Sequence, residues 1–234
     1  MKLSKNQGSR RSNTALNMFL SFITSIFAVG ISVIITLNLT IVYKIAIDKF
    51  NLVKITGLSK EKLMFNYNGM IKYLNNPFIK QLEFEDFSMS RTGEIHFQEV
   101  KNIFMKLYII VIIALLIFIT FKLVKALAKN IEFPKVVNYA ANIILITFGF
   151  VMASMGINFS KTFVLFHKLF FNNNYWIFDP KTDPVINALP EELFLVYAII
   201  IIVLLGVQVI AFKMIYIKSK PIKSPHQIIK RFNI

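Results

Sequence analysis

Two histidines, His96 and His167, are the side chains of this sequence best suited to proton transfer near neutral pH. The 234-residue chain has three histidines, and we interpret the third, His226 in the basic C-terminal tail, as a solvated residue. A neutral imidazole can take a proton from a nucleophile and return it to a leaving group. Each of the two alone is compatible with a structural role beside a membrane. Catalysis is predicted only if the chain brings both to the same side.

Several other chemistries are excluded or disfavoured by the residues. The chain has no cysteine, which removes disulfides, thiolate catalysis and cysteine-bound metals. It contains neither a G-x-S-x-G element nor a phosphate-binding Walker loop. The histidines lack the H-E-x-x-H and H-x-x-x-H spacings of zinc sites. Asp179 or Asp183 offers a carboxylate that could complete a metal site with them, but we expect no metal and no cofactor.

The apolar residues form four blocks, each long enough to cross a bilayer. The chain is 56% hydrophobic with 24 phenylalanines, and a membrane-spanning helix needs about 20 mostly apolar residues. The blocks cover about residues 15–43, 104–123, 139–158 and 193–217. The first is long enough to require tilting or extension beyond the bilayer. The predicted fold is a single all-α integral membrane domain, residues 1–234, with four transmembrane helices and an extracellular cap formed by two outer loops.

The charged residues predict how these helices are oriented. Basic residues dominate in residues 2–11, 122–135 and 213–231, whereas nearly all acidic residues lie in residues 45–103 and 159–192. Because positive charge is retained in the cytoplasm, both termini are predicted inside and both long loops outside. The net charge of +15 is therefore juxtamembrane and suits anionic lipid head groups rather than nucleic acid. Spans without internal charges also argue against an ion-coupled transporter.

The first outer loop is predicted to contain a helix and a short strand. Ser59 is suited to cap a helix whose apolar residues recur at three- and four-residue spacing until Asn75. This helix could lie on the bilayer surface or pack on the second loop, and the two are compatible. Partial alternation over residues 78–89 predicts a short strand. Gly93 is predicted to break the chain, so that a helix beginning near Glu94 continues into the second span.

The second outer loop carries more ordering residues than a simple connector needs. Residues 161–176 are amphipathic and their phenylalanines are suited to the membrane interface, as are Tyr175 and Trp176. Two Asp-Pro steps, beginning at Asp179 and Asp183, are turn initiators. We predict that this loop forms a rigid cap on the outer face and that His167 lies in it.

Three stretches of the sequence together resemble one protein family. They are NYNGMIKYLNNP, IHFQEVK before the second span, and FHKLFF with WIFDPKTDPVINALPEEL before the fourth. They are similar to the lipoprotein intramolecular transacylase (Lit) family of bacterial cell membranes, as is the four-span plan with both ends inside. The resemblance covers most of the chain, and the last stretch is its most specific part.

The resemblance implies a reaction and its site. The family acts on lipoproteins whose N-terminal cysteine carries a diacylglyceryl thioether and a free α-amine. It moves the sn-2 acyl chain from the glycerol ester to that amine, which gives a lyso-lipoprotein. The two extracellular histidines of the family match His96 and His167. The partners implied are a diacylated lipoprotein and membrane lipids.

This chemistry agrees with the residues present and absent. Nucleophile and ester belong to one substrate molecule, so no enzyme serine or cysteine is needed. One histidine would act as general base toward the amine, whose reference pKa is about 8, and the other would support the oxyanion or protonate the glycerol oxygen. Holding amine against ester lowers the barrier by about 7–11 kcal/mol. Five further residues are predicted to position the substrate: Asn66, Tyr67, Trp176, Asp179 and Asp183.

Two alternatives remain beside this prediction. A membrane hydrolase would release the acyl chain to water as free fatty acid. A non-enzymatic membrane subunit or lipoprotein-binding chaperone would use the cap only for binding, and its function would survive replacement of both histidines.

Overall fold

The protein is described here by a computed structural model that covers residues 13–124 and 129–220. The basic residues predicted to lie inside the cell at positions 2–11, 125 and 223–231, together with His226, lie outside the described residues. Within the described residues the chain forms helices joined by turns and irregular segments. The helices are α1 (Thr14–Asn38), α2 (Thr40–Lys49), α3 (Leu52–Thr56), α4 (Lys60–Asn75), α5 (Arg91–Leu123), α6 (Phe133–Ile157), α7 (Phe159–Phe170) and α8 (Glu191–Lys218), with a 3-10 turn at Pro184–Ala188 before α8.

Four of these helices are long and apolar enough to cross a membrane, which confirms the predicted fold class. They are α1, α5, α6 and α8 among the residues that the structure describes. Helix α5 has 33 residues and is therefore about 50 Å long, well beyond the roughly 30 Å of a bilayer core. Its apolar stretch begins at Phe104, so the first turns, which include His96, extend beyond the spanning segment into the cap.

Helix α1 is the centre of the bundle and packs against α5, α6 and α8. Its buried face carries small and polar side chains, and at Gly30 a Cβ atom would lie 2.4 Å from Val111 Cγ2, so α1 and α5 approach closely there. The buried hydroxyls on this face each donate to the carbonyl four residues earlier; they belong to Ser21, Thr24, Ser25, Ser32 and Thr36.

The first apolar block differs from the single long helix predicted for it. The helix is interrupted at Leu39, where the backbone leaves the helical region, and α2 begins at Thr40. Polar side chains explain the break, because Asn38 donates to the Ile34 carbonyl and accepts a hydrogen bond from Asn75 of α4. Helix α2 therefore belongs to the cap, where Tyr43 is buried.

Helix α4 matches the predicted helix of the first outer loop. The Ser59 hydroxyl accepts a hydrogen bond from the Lys62 N–H, and the apolar face is buried. That face shares a hydrophobic core with Val185 and Leu189, so the helix packs on the second outer loop.

Residues 78–89 do not form the predicted strand and are irregular. Their backbone groups have partners other than a neighbouring strand. The Asn66 amide oxygen accepts from the Glu85 N–H at 2.9 Å, and the Lys101 ammonium donates to the Ile79 carbonyl. Side chains of two helices thus satisfy groups that a sheet would otherwise pair.

Candidate active site

Helix α5 begins three residues before the predicted start, and this places His96 in its second turn. The Ser90 hydroxyl accepts from the Gly93 N–H at 3.0 Å, so the chain begins its helix at Arg91 and Gly93 lies inside the first turn. Gly93 does not break the chain; instead it leaves room for another side chain. A Cβ atom at this position would lie 2.3 Å from the Asp183 Oδ1 atom.

The His96 imidazole is buried among aromatic rings. The centroids of Phe171 and Phe178 lie 4.8 and 5.5 Å from its own, both in edge-on arrangements. The side chain is 7% exposed, and its Nδ1 atom is buried without a hydrogen-bond partner in the described chain. A buried nitrogen without a hydrogen-bond partner lowers the stability of the folded state. Such an arrangement is expected for a group whose partner is supplied by a substrate.

His167 lies on α7, which Asn158 caps by accepting from the Lys161 N–H. Its imidazole stacks on Trp176 at 4.7 Å between ring centroids. The Nδ1 atom is 2.8 Å from the Phe163 carbonyl oxygen. Because a carbonyl oxygen only accepts, Nδ1 carries the proton and Nε2 has a free lone pair. The ring is thus held in the tautomer of a general base.

The structure brings His96 and His167 together, as the sequence predicted. Their ring centroids are 6.1 Å apart with 35° between the planes. Phe171 contacts both rings, with centroids 4.8 Å from His96 and 5.7 Å from His167. Residues 71 positions apart in the sequence therefore form one aromatic-lined site. Their catalytic role stays a prediction.

Burial favours the neutral form of both imidazoles. Burial, and secondarily the neighbouring His167, lowers the pKa of His96 to about 4. Burial also lowers the pKa of His167, although its hydrogen bond to the Phe163 carbonyl acts in the opposite direction. Neutral imidazole is the form that accepts a proton, so the pair is ready for base catalysis at pH 7.

Acidification should destabilise the protein through His96. The folded-state pKa of about 4 lies below the reference value of about 6.5, so the unfolded chain binds more protons between these values. The free energy of unfolding should therefore fall as pH is lowered through this window, by about 3 kcal/mol at most. Thermal unfolding in detergent, followed from pH 7 to pH 4, measures it. The His96→Phe variant should show a smaller pH dependence, and an identical one would contradict the assignment.

Sequence reasoning missed one carboxylate and one amide of this site. Glu99 lies three residues after His96 on α5, and its Oε1 accepts from the Asn173 side-chain amide at 2.8 Å. The backbone carbonyl of Asn173 in turn accepts a hydrogen bond from the Trp176 indole N–H at 3.1 Å. The Glu99 Oε2 atom is buried and has no partner in the described chain. The i, i+3 spacing of His96 and Glu99 was the signal that could have found it.

The structure brings Trp176 to the histidines, whereas the two predicted aspartates form their hydrogen bonds with other residues. Asp183 is 2% exposed, and its carboxylate accepts from the Ser90 N–H and the Thr182 hydroxyl, each at 2.7 Å. It thereby ties the second loop to the start of α5. Asp179 is exposed and accepts from the Lys181 N–H within its own turn.

Asn66 and Tyr67 of α4 are also buried in the cap, and their hydrogen bonds join them to other cap residues. Asn66 bonds to the backbone of Glu85 and donates to the Asp86 carboxylate at 2.8 Å. The Tyr67 hydroxyl lies 2.6 Å from the Tyr197 hydroxyl at the start of α8. Both side chains hold the cap together, and a role in binding substrate stays a prediction for them.

Comparisons with known proteins show the family of the chain and support its fold. The model of the family described as "Lipoprotein intramolecular transacylase Lit" matches residues 18–194. The in meso structure of the membrane-integral lipoprotein intramolecular transacylase Lit from Bacillus cereus is similar, with a TM-score of 0.80 and 28% identity, over 93% of this chain and 97% of that chain. Two variants of that protein, with a histidine replaced by arginine or by alanine, give TM-scores of 0.73 and 0.74 at 28% identity. They cover 93% of this chain and 93% and 94% of theirs. A search of curated proteins gives no match.

Proposed function

The chain belongs to the lipoprotein intramolecular transacylase family, and from this premise we propose that it moves the sn-2 acyl chain of a diacylglyceryl-cysteine to the α-amine of the same cysteine. The protein is a multi-pass membrane acyltransferase. The observation that carries the detailed proposal is the pair of imidazoles whose ring centroids lie 6.1 Å apart in an aromatic site of the cap.

The His167 tautomer supports its assignment as the general base. Its free Nε2 atom takes a proton from the amine as the amine nitrogen bonds to the ester carbonyl carbon. The resulting tetrahedral intermediate carries a negative oxygen, which a donor on His96 stabilises. The carbon–oxygen bond to glycerol then breaks, and the glycerol oxygen receives the proton that the His167 imidazolium holds. The products are an amide and a glycerol hydroxyl, and no atoms are gained or lost.

The aromatic surroundings favour transfer to the amine over hydrolysis. Phe171 and Phe178 contact His96, and Trp176 stacks on His167, so the reacting groups would meet among aromatic rings. Water excluded from the site cannot compete with the amine for the ester carbon. This observation favours the transacylase over the hydrolase.

The remaining predicted residues are proposed to support the substrate through the cap. Trp176 orients His167 directly, whereas Asn66, Tyr67, Asp179 and Asp183 fix the loops around the head-group site. We further propose that the cap faces the cell exterior. The ends of α5 and α8 distant from the cap carry Lys122 and Lys218, as expected for cytoplasmic ends. Both termini would then lie in the cytoplasm, and membrane lipids would surround the four spans.

The product of the reaction tests the proposal. The purified chain in proteoliposomes should convert a synthetic diacylglyceryl-cysteine lipopeptide, deuterated in its sn-2 chain, into an isomer of unchanged mass. Fragmentation by mass spectrometry should find the deuterated chain on the α-amine. Free deuterated fatty acid would instead identify a hydrolase, unchanged substrate a binding protein, and an unlabelled amide an sn-1 transfer. Each of these three results overturns the proposal.

A further inference from the structure

The mechanism above gives no role to the carboxylate of Glu99, a half-buried residue of α5. Its Oε1 atom is held by the Asn173 amide, whereas Oε2 is buried without a hydrogen-bond partner. Over residues 13–124 and 129–220, the only other buried side-chain polar atom in this condition is Nδ1 of His96. The ion pairs found in the same residues leave Glu99 without a basic partner. A carboxylate oxygen is strongly destabilised by such burial unless something pairs with it.

Glu99 and His96, the two residues with unpartnered buried atoms, lie on the same side of α5. Residues three apart on a helix are neighbours, with Cβ atoms about 5–6 Å apart. The two unpartnered atoms therefore belong to neighbouring side chains on one face of the helix. Glu99 is also linked to the second imidazole, because Asn173 binds both its carboxylate and the indole of Trp176, which stacks on His167. A donor that pairs with Glu99 would consequently lie beside the two imidazoles.

The charge of the missing partner follows from that of the carboxylate. The Glu99 carboxylate accepts one hydrogen bond from a neutral amide, and its second oxygen has no partner. Such a group is suited to a cationic N–H donor. The proposed substrate has one such group at its reacting end, since an α-amine with a pKa of about 8 is mainly protonated at pH 7. The ester, glycerol and acyl chains offer no positive charge.

We propose that Glu99 is the ammonium-binding residue of the site and that its Oε2 atom receives the protonated α-amine of the substrate's N-terminal cysteine. This inference rests on the proposed function and adds to it the recognition of the nucleophile. The bound ammonium first releases one proton to solvent through an imidazole. The resulting neutral amine then attacks the ester carbon, and its second proton passes through His167 to the glycerol oxygen, as in the mechanism above. The amide product carries no charge on that nitrogen, so it loses the pairing with Glu99 and leaves the site. A lipoprotein already acylated on its amine is excluded for the same reason.

Binding of a non-reacting analogue tests this recognition without requiring turnover. The probe is a lipopeptide with an ether in place of the sn-2 ester, prepared with a free α-amine and in N-acetylated form. Its affinity for the full chain in lipid nanodiscs is measured at pH 7. The wild-type chain should prefer the free amine by about 10- to 100-fold. The Glu99→Gln variant should lose this preference while its affinity for the acetylated form stays unchanged, since glutamine can still accept from Asn173.

Matched variants separate this role from a structural one. Glu94→Gln, which removes a carboxylate from the surface ion pair with Arg91 on the same helix, should keep the full preference. Glu99→Asp keeps the charge and should keep part of the preference, and it replaces Glu99→Gln if that variant does not fold. Equal affinity of the wild-type chain for both probes, or a retained preference in Glu99→Gln, overturns the inference. Failure of the proposed function is seen separately, as absence of amide product from the ester substrate.

Discussion

Alanine at position 96 or 167 is expected to lower the rate of amide formation by about 10²–10⁴-fold while the chain still inserts and folds. Each substitution removes an imidazole that the proposed reaction uses for proton transfer or charge stabilisation. The two rings act on one substrate, so the double variant should be no slower than the slower single variant. Initial rates with the labelled lipopeptide, read by fragmentation, measure the effect.

His226 provides the matched control for these variants. It is a histidine of the same chain that lies in the C-terminal tail, and His226→Ala should retain the wild-type rate. Thermal unfolding of every variant establishes that lost activity is not lost structure. Wild-type activity in either His96→Ala or His167→Ala would remove that histidine from the mechanism.

Asp183→Ala is expected to lower the free energy of unfolding by about 2–4 kcal/mol. The carboxylate is buried and accepts from the Ser90 N–H and the Thr182 hydroxyl, so its removal leaves two donors without their acceptor. It also leaves empty space beside Gly93 at the start of the helix that carries His96. For a chain of this size the melting temperature should fall by about 5–10 °C.

The other Asp-Pro step supplies the comparison for Asp183. Asp179 is exposed and caps a local turn, so Asp179→Ala should change the free energy of unfolding by less than about 1 kcal/mol. Circular dichroism melts in detergent measure both variants. Equal losses in the two would show that the contact between Asp183 and α5 does not stabilise the cap.

The elements with strong local signals were predictable from the sequence. Long apolar blocks predict spans because a bilayer admits only structures that satisfy their own backbone hydrogen bonds. The Ser59 cap and the apolar spacing after it predicted α4. The break at Leu39 was not predictable, because the apolar residues continue on both sides and the deciding contact is made by Asn75 from a distant helix. The strand expected at residues 78–89 failed for a similar reason, since Asn66 takes up its backbone groups.

The candidate site was predictable in its residue types but not in its connections. Histidines beside aromatic segments on the same side of the membrane pointed to a pair, and the family resemblance strengthened this prediction. Nothing in the local sequence says that Glu99 pairs with Asn173 rather than with one of the many lysines. Likewise the carboxylate of Asp183 is of a type that could bind substrate. Only the fold shows that it accepts a hydrogen bond from the Ser90 N–H instead. Long-range pairings of this kind follow from packing, which no short motif records.

Helix α1 precedes the other three spans in the chain, and this order affects how the bundle is assembled during synthesis. The helix must enter lipid before the neighbours that later cover its polar stripe have been made. Free hydroxyl donors in hydrocarbon would be costly at that stage. The buried serines and threonines of α1 already donate to carbonyls of their own helix. These hydroxyls therefore need no hydrogen-bond partner from another helix when they face lipid. Helix α1, on which the other three spans pack in the finished enzyme, can thus insert first and remain in lipid until they are made.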